Sequence, residues 1–212
     1  DGRVASQTVG YGSAEAATTR YTYDGAGNVT SVTDPKNNVG YSFYDAAGRT
    51  TLQIDAQGYA TGTAYTSTGE IASVTHYATA VTGTIHVSVP PTVTTNADDA
   101  TTTFAYDLRG QLIGVTDAEG HSESYRLDAF GDRVGVTNKL GATTTNVFDD
   151  RGLLVSETIP MVSTNPNGTV EASAVTNTYQ YDAFGNRTQM VEASGLSEQR
   201  NTNHQYDKLN RL

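Results

Sequence analysis

Side chains able to do chemistry are plentiful in this chain of 212 residues, so spacing has to decide what they are for. Two adjacent carboxylate pairs, Asp98-Asp99 and Asp149-Asp150, have the residue types of a general acid and base. Neighbours on a strand point to opposite faces, and both pairs fall in turn-like sequence, so turn formation accounts for them. Recurring Asp-x-x-Gly invites comparison with calcium sites, yet neither an EF-hand loop nor the glycine-rich nonapeptide of calcium-binding β-rolls is present. His76, His86, His121 and His204 show no ligand-like clustering; the close acidic neighbours of His121 are Glu119 and Glu123. No Gly-x-Ser-x-Gly elbow or phosphate loop occurs, Gly10-Tyr11-Gly12 being a bare fragment. With no Cys, thiol nucleophiles, zinc ribbons and disulfides drop out, and the compartment stays open. The sequons Asn28-Val29-Thr30, Asn167-Gly168-Thr169 and Asn186-Arg187-Thr188 would matter only in a eukaryotic secretory setting. The sequence therefore points to no catalytic residue, no metal and no cofactor.

Composition narrows the partners. Acidic residues outnumber basic ones 23 to 13, giving a net charge of −10, which disfavours nucleic acid and anionic membranes. No stretch approaches a membrane-spanning helix, and no basic-then-apolar leader opens the sequence. Only 36% of residues are apolar, thin material for a conventional core, but 13 Tyr and abundant Thr point to strands rather than to disorder or helices.

What organises these residues is a repeat of aromatic-Asp-x-x-Gly. The copies begin at Tyr23-Asp24, Tyr44-Asp45, Tyr106-Asp107, Phe148-Asp149 and Tyr181-Asp182, each closed by Gly27, Gly48, Gly110, Gly152 or Gly185. Weaker copies lie at Tyr65, where Thr66 replaces Asp, at Leu127-Asp128 with Gly131, and at Tyr206-Asp207. Successive first positions are 21, 21, 41, 21, 21, 33 and 25 residues apart. A second turn-like motif follows eleven residues after the aromatic, as in Asp34-Pro35-Lys36-Asn37 and Asp55-Ala56-Gln57-Gly58. Asp at the first turn position and Gly at the fourth match a type I turn that re-enters a strand through a positive-φ bulge. Two turns per period leave two strands, so one repeat is one β-hairpin.

Strands entering the Tyr-Asp turn alternate, with Tyr21 before Tyr23, Phe104 before Tyr106, Tyr125 before Leu127 and Tyr179 before Tyr181, so aromatic ladders along one face are expected. Strands leaving it, such as Val29-Thr30-Ser31-Val32, space apolar residues three apart and so read as placing some apolar surface on both faces. The expectation is an all-β, single-layered antiparallel array, wet near both surfaces, with the turns pinning register. About 16 strands at roughly 4.8 Å spacing would make a ribbon too wide to stay flat, so it should curl into a spiral or shell wall. The array should cover 1–212, interrupted by insertion loops at about 76–100 and 159–176 that leave from one rim, a place where loops often bind. Asp1-Gly2-Arg3-Val4 reads as the back half of a motif, and the last motif stops just after its turn, so the chain reads as a fragment of a larger shell.

At these residues the chain resembles the YD-repeat, or Rhs, family, as in Asp45-Ala46-Ala47-Gly48-Arg49 and Asp182-Ala183-Phe184-Gly185-Asn186. The resemblance implies a hollow β-shell. In bacterial Rhs polymorphic toxins and the B and C components of insecticidal toxin complexes such a shell encloses a C-terminal toxic domain; in animal teneurins a related shell serves adhesion. It also implies a secreted or cell-surface bacterial protein whose partners are the remainder of its own shell and an enclosed toxin domain. The rival reading is a surface module whose rim tyrosines bind a glycan or receptor.

Overall fold

The computed structural model describes residues 2–164 and 170–212; Asp1, Pro166 and the sequon at Asn167 lie outside them. The strands are β1 (Ser6–Val9), β2 (Ala17–Tyr23), β3 (Val29–Thr33), β4 (Val39–Tyr44), β5 (Thr50–Ile54), β6 (Ala60–Tyr65), β7 (Ile71–His76) and β8 (Ala100–Tyr106). They continue as β9 (Leu112–Thr116), β10 (Ser122–Leu127), β11 (Arg133–Thr137), β12 (Thr143–Phe148), β13 (Leu154–Thr164), β14 (Val170–Tyr181), β15 (Arg187–Glu192) and β16 (Arg200–Asn203). Strand order in the 16-stranded sheet is sequence order throughout, the pairings are antiparallel, and no helix occurs among the described residues. The chain divides into two compact units, residues 1–104 with 116–120, and 105–115 with 121–212.

Register carries a regularity that changes the reading of the outgoing strands. Tyr23 faces Val29 while Thr22 faces Ser31, so Thr30 is an extra residue on β3. The same one-residue shift recurs beside Tyr44, Tyr65, Leu127, Phe148 and Tyr181. A bulge of this kind adds one residue to one strand only, so apolar residues three apart return to the same face. Val29 and Val32 thus stand opposite Tyr23 and Tyr21, together rather than on opposite faces. Spacing of three was the trace of the bulge, not of a two-sided strand. Hairpins at the eleventh-residue turn, such as β3–β4, show no such shift.

In the first unit, cross-strand neighbours Phe43 and Leu52, and Ile54 and Ala60, form the buried cluster. Its cover is the first insertion. Residues 77–99 do not stand out from the rim but fold back, laying Tyr77, Val81, Ile85 and Val93 against the cluster. The insertion docks through Tyr77 N–H to the Ala60 carbonyl (2.9 Å) and Val81 N–H to the Gly58 carbonyl (2.8 Å). Here the sheet gains a second layer because its apolar residues are concentrated on neighbouring strands and would otherwise face water.

The second unit contributes no hydrophobic residue to the buried core among the described residues. Backbone ladders hold it, with cross-strand Thr pairs such as Thr137–Thr143 (2.8 Å) and Thr158–Thr176 (3.0 Å). The second insertion, expected as a loop, extends the hairpin instead: β13 and β14 pair from Ser156↔Thr178 to Thr164↔Val170. Pro160 fits because the β12 pairing stops at Thr158, leaving the strand beyond it an edge on that side.

Candidate functional site: the aromatic-aspartate corners

Each repeat brings its aromatic, Asp and Gly to one hairpin corner. At the corner of Tyr23, Asp24 and Gly27, Asp24 N–H donates to the Asn28 carbonyl (3.0 Å) and Gly27 N–H to the Asp24 carbonyl (3.2 Å). Equivalent pairs close the corners at Asp45 (Gly48), Asp107 (Gly110), Asp128 (Gly131), Asp149 (Gly152) and Asp182 (Gly185). At Asp207 the left-handed residue is Asn210, φ +58°, an accepted substitute for Gly. At Thr66 the chemistry is inverted: Glu70 supplies the carboxylate, and the hydroxyls of Thr66 and Thr68 donate to it.

The carboxylate fills its acceptor sites within the corner. Asp45 Oδ1 accepts from the N–H groups of Ala47 and Arg49, both at 2.9 Å, and Oδ2 takes the Arg49 guanidinium at 2.7 Å. Asn28, Asn186 and Arg211 play the part of Arg49 at their corners, while Arg109 and Arg151 reach the carboxylate from two residues on. At four corners an Arg or Asn four residues after Asp thus supplies the side-chain donor, and at Asp107 and Asp149 an Arg two residues on serves instead. Donors favour the ionised form. Asp24 and Asp182 are held below the usual carboxylate range first by the side-chain amides of Asn28 and Asn186. Asp45, Asp107 and Asp149 are held low first by the backbone N–H of the residue four on, and Asp207 by the Arg211 side chain. A carboxylate so saturated is a structural acceptor.

Corners are also tied to their neighbours within each unit. Tyr44 and Tyr65 hydroxyls donate to the carbonyls of Val29 (2.8 Å) and Thr50 (2.9 Å), each five residues after the Asp of the preceding corner. Tyr23, Tyr181 and Tyr206 do the same to Val4 (2.8 Å), Leu154 (2.8 Å) and Arg187 (3.2 Å). Phe148 has no hydroxyl for this tie. Arginines bridge in the other direction. Arg49 lies 4.3 Å from the centre of the Tyr65 ring, and Arg151 donates to the Asp182 carbonyl at 2.8 Å. Arginine also covers Tyr125, where Arg133 lies 3.9 Å from the ring centre.

Some of the other candidates resolve into local structure. Asp99 closes the neck of the first insertion, accepting from Ala78 N–H and Asn96 N–H at 2.9 Å, and Asp98 N–H donates to Asn96 Oδ1. Asp150 is the residue after corner Asp149 and is exposed. His76 Nδ1 lies 3.1 Å from Thr61 Oγ1, and Glu123 accepts a short hydrogen bond from the Tyr125 hydroxyl, which raises the tyrosine pKa. The sequon amides of Asn28 and Asn186 are engaged with Asp24 and Asp182, both at 2.9 Å, an engagement that glycosylation would break.

The repeats match the family model described as RHS Repeat at residues 1–39, 91–122, 106–144 and 148–197. No curated protein matches the chain. Among solved structures the fold is similar to that of TcdB2-TccC3-Cdc42 (TM-score 0.62, 18% identity), covering 92% of this chain and 10% of that one. TcdB2-TccC3 without its hypervariable C-terminal region is similar at TM-score 0.61 and 19% identity, with the same coverage. The Photorhabdus luminescens Tc holotoxin pore follows at TM-score 0.58 and 19% identity over 90% of this chain and 10% of that one. The chain thus spans about a tenth of each of these solved chains. Matched over more than half of its length, it belongs to the RHS repeat family.

Proposed function

We propose that this chain is a non-catalytic stretch of wall in a closed β-shell that sequesters a toxic domain of a secreted or surface-exposed bacterial polymorphic toxin. The observation that carries the reading is the interlocking of corners. Tyr hydroxyls and Arg side chains bind each hairpin to the one before or after it, giving a sheet cohesion that does not depend on a thick core. Such a wall needs no cofactor; its partners are the rest of the shell and the enclosed chain. Exposed Leu108, Phe130 and Phe184 at corner tips offer apolar surface of the kind a neighbouring segment covers. A largely polar sheet face suits containment, because an apolar lining would adhere to its cargo.

The test is limited proteolysis of the complete protein carrying this segment. Its enclosed domain is expected to survive while the shell is intact. Replacing Tyr44 and Tyr181 together by Ala, which removes two ties, is expected to raise its cleavage rate. Equal cleavage with intact and weakened walls would contradict the reading.

A further inference from the structure

One eleventh-residue turn of the first unit leaves groups open to a ligand. At Asp55 the residue four on is neither Arg nor Asn but Tyr59. Asp55 Oδ1 still accepts from Gln57 N–H and Tyr59 N–H, both at 2.9 Å, but no side chain among the described residues closes the other oxygen. Tyr59 is 51% exposed. Both residues line a hollow of about 600 Å³ with Ser42, Gln53, Thr61 and His76. Register explains this grouping: Ser42 faces Gln53, Gln53 faces Thr61, and Thr61 faces His76, a polar row across β4–β7 on the face away from the buried cluster. Gly40 also lines the hollow, leaving space where a side chain would stand.

We infer that this hollow binds a neutral, hydroxyl-rich pyranose oligosaccharide. An exposed tyrosine ring beside hydroxyl, amide and imidazole groups offers what a sugar ring presents: a C–H face to stack on an aromatic and a rim of hydroxyls to pair with polar groups. The open oxygen of Asp55 accepts from sugar hydroxyls, and a carboxylate in a chain of net charge −10 selects against sialylated, sulfated or phosphorylated glycans. Tyr44, Tyr65 and Tyr181 lack this availability, because their hydroxyls are committed to backbone carbonyls.

The test titrates the chain with maltohexaose, cellohexaose and chitohexaose by isothermal calorimetry. At least one is expected to bind saturably, with Tyr59→Ala and Asp55→Asn each weakening it at least about tenfold, the order of one hydrogen bond to a charged group or one stacked ring. Tyr59→Phe should retain binding. Asp55→Asn should leave the corner folded, since Asn138 Oδ1 already closes an equivalent turn through Leu140 and Ala142 N–H. An unchanged circular dichroism spectrum checks this. Absence of binding by all three sugars, or unchanged binding in Tyr59→Ala, overturns the inference and leaves the shell reading untouched.

Discussion

Phe43→Ala is expected to lower stability by about 3–5 kcal/mol, the range for truncating a buried aromatic without collapse of the site. Phe43 is only 3% exposed, pairs with Leu52, and belongs to the buried cluster against which Val81, Ile85 and Val93 pack. The residue thus supports both the sheet and its cover. Because the insertion is anchored at Ala60 and Gly58 by only two of these backbone bonds, loss of the apolar contact should release much of residues 77–99. Denaturant unfolding followed by circular dichroism, with hydrogen exchange at Val81 N–H, measures both effects. A cost below about 0.5 kcal/mol, the level of an ordinary surface change, would mean that the insertion does not cover a core.

Gly58→Ala carries the second large effect. Gly58 has φ +92°, and an added Cβ would lie 3.0 Å from the Val81 carbonyl oxygen, backbone that has little freedom to move. Left-handed strain and the forced displacement together should cost about 2–3 kcal/mol. Gly120→Ala is the control: its φ is +83°, with nothing within 4 Å of the added carbon. It carries the strain alone, about 1 kcal/mol. If both variants lose the same stability, the insertion does not press on the sheet at Gly58.

Much of the hairpin array was legible because turn chemistry is local. Asp at the first turn position and Gly at the left-handed one are dictated by the backbone of the corner itself, wherever the neighbours lie. The outgoing strands misled because Thr30 and its equivalents add a residue to one strand only, and alternation counted along a single strand misses what its partner omits. The cover over Phe43 was not legible either. Tyr77, Val81, Ile85 and Val93 recur at intervals of four and eight, a spacing that fits both a strand and a helix and so points to neither, and their role is set by a sheet surface distant in sequence. Pro160 falls within the insertion expected as a loop at about 159–176, yet it lies in β13 where that strand passes beyond β12; Pro166 is outside the described residues. Of the corner, Tyr-Asp and Gly stood out, and the Arg or Asn after Gly was visible as repetition; that it closes the Asp carboxylate required coordinates.

The corners also set the response to acid. Asp24, Asp45, Asp107, Asp149, Asp182 and Asp207 have depressed folded-state pKa values, so their contribution to stability is present above the ordinary carboxylate pKa and is lost as pH falls through the lower folded values. The most direct measurement is NMR titration of the side-chain carboxyls of Asp24, Asp45, Asp107, Asp149, Asp182 and Asp207. All six should titrate below the free aspartate value of about 3.9 as a coherent set. Midpoints at that ordinary value would mean that the carboxylates do not close the hairpin corners, and the wall would lose its fastening.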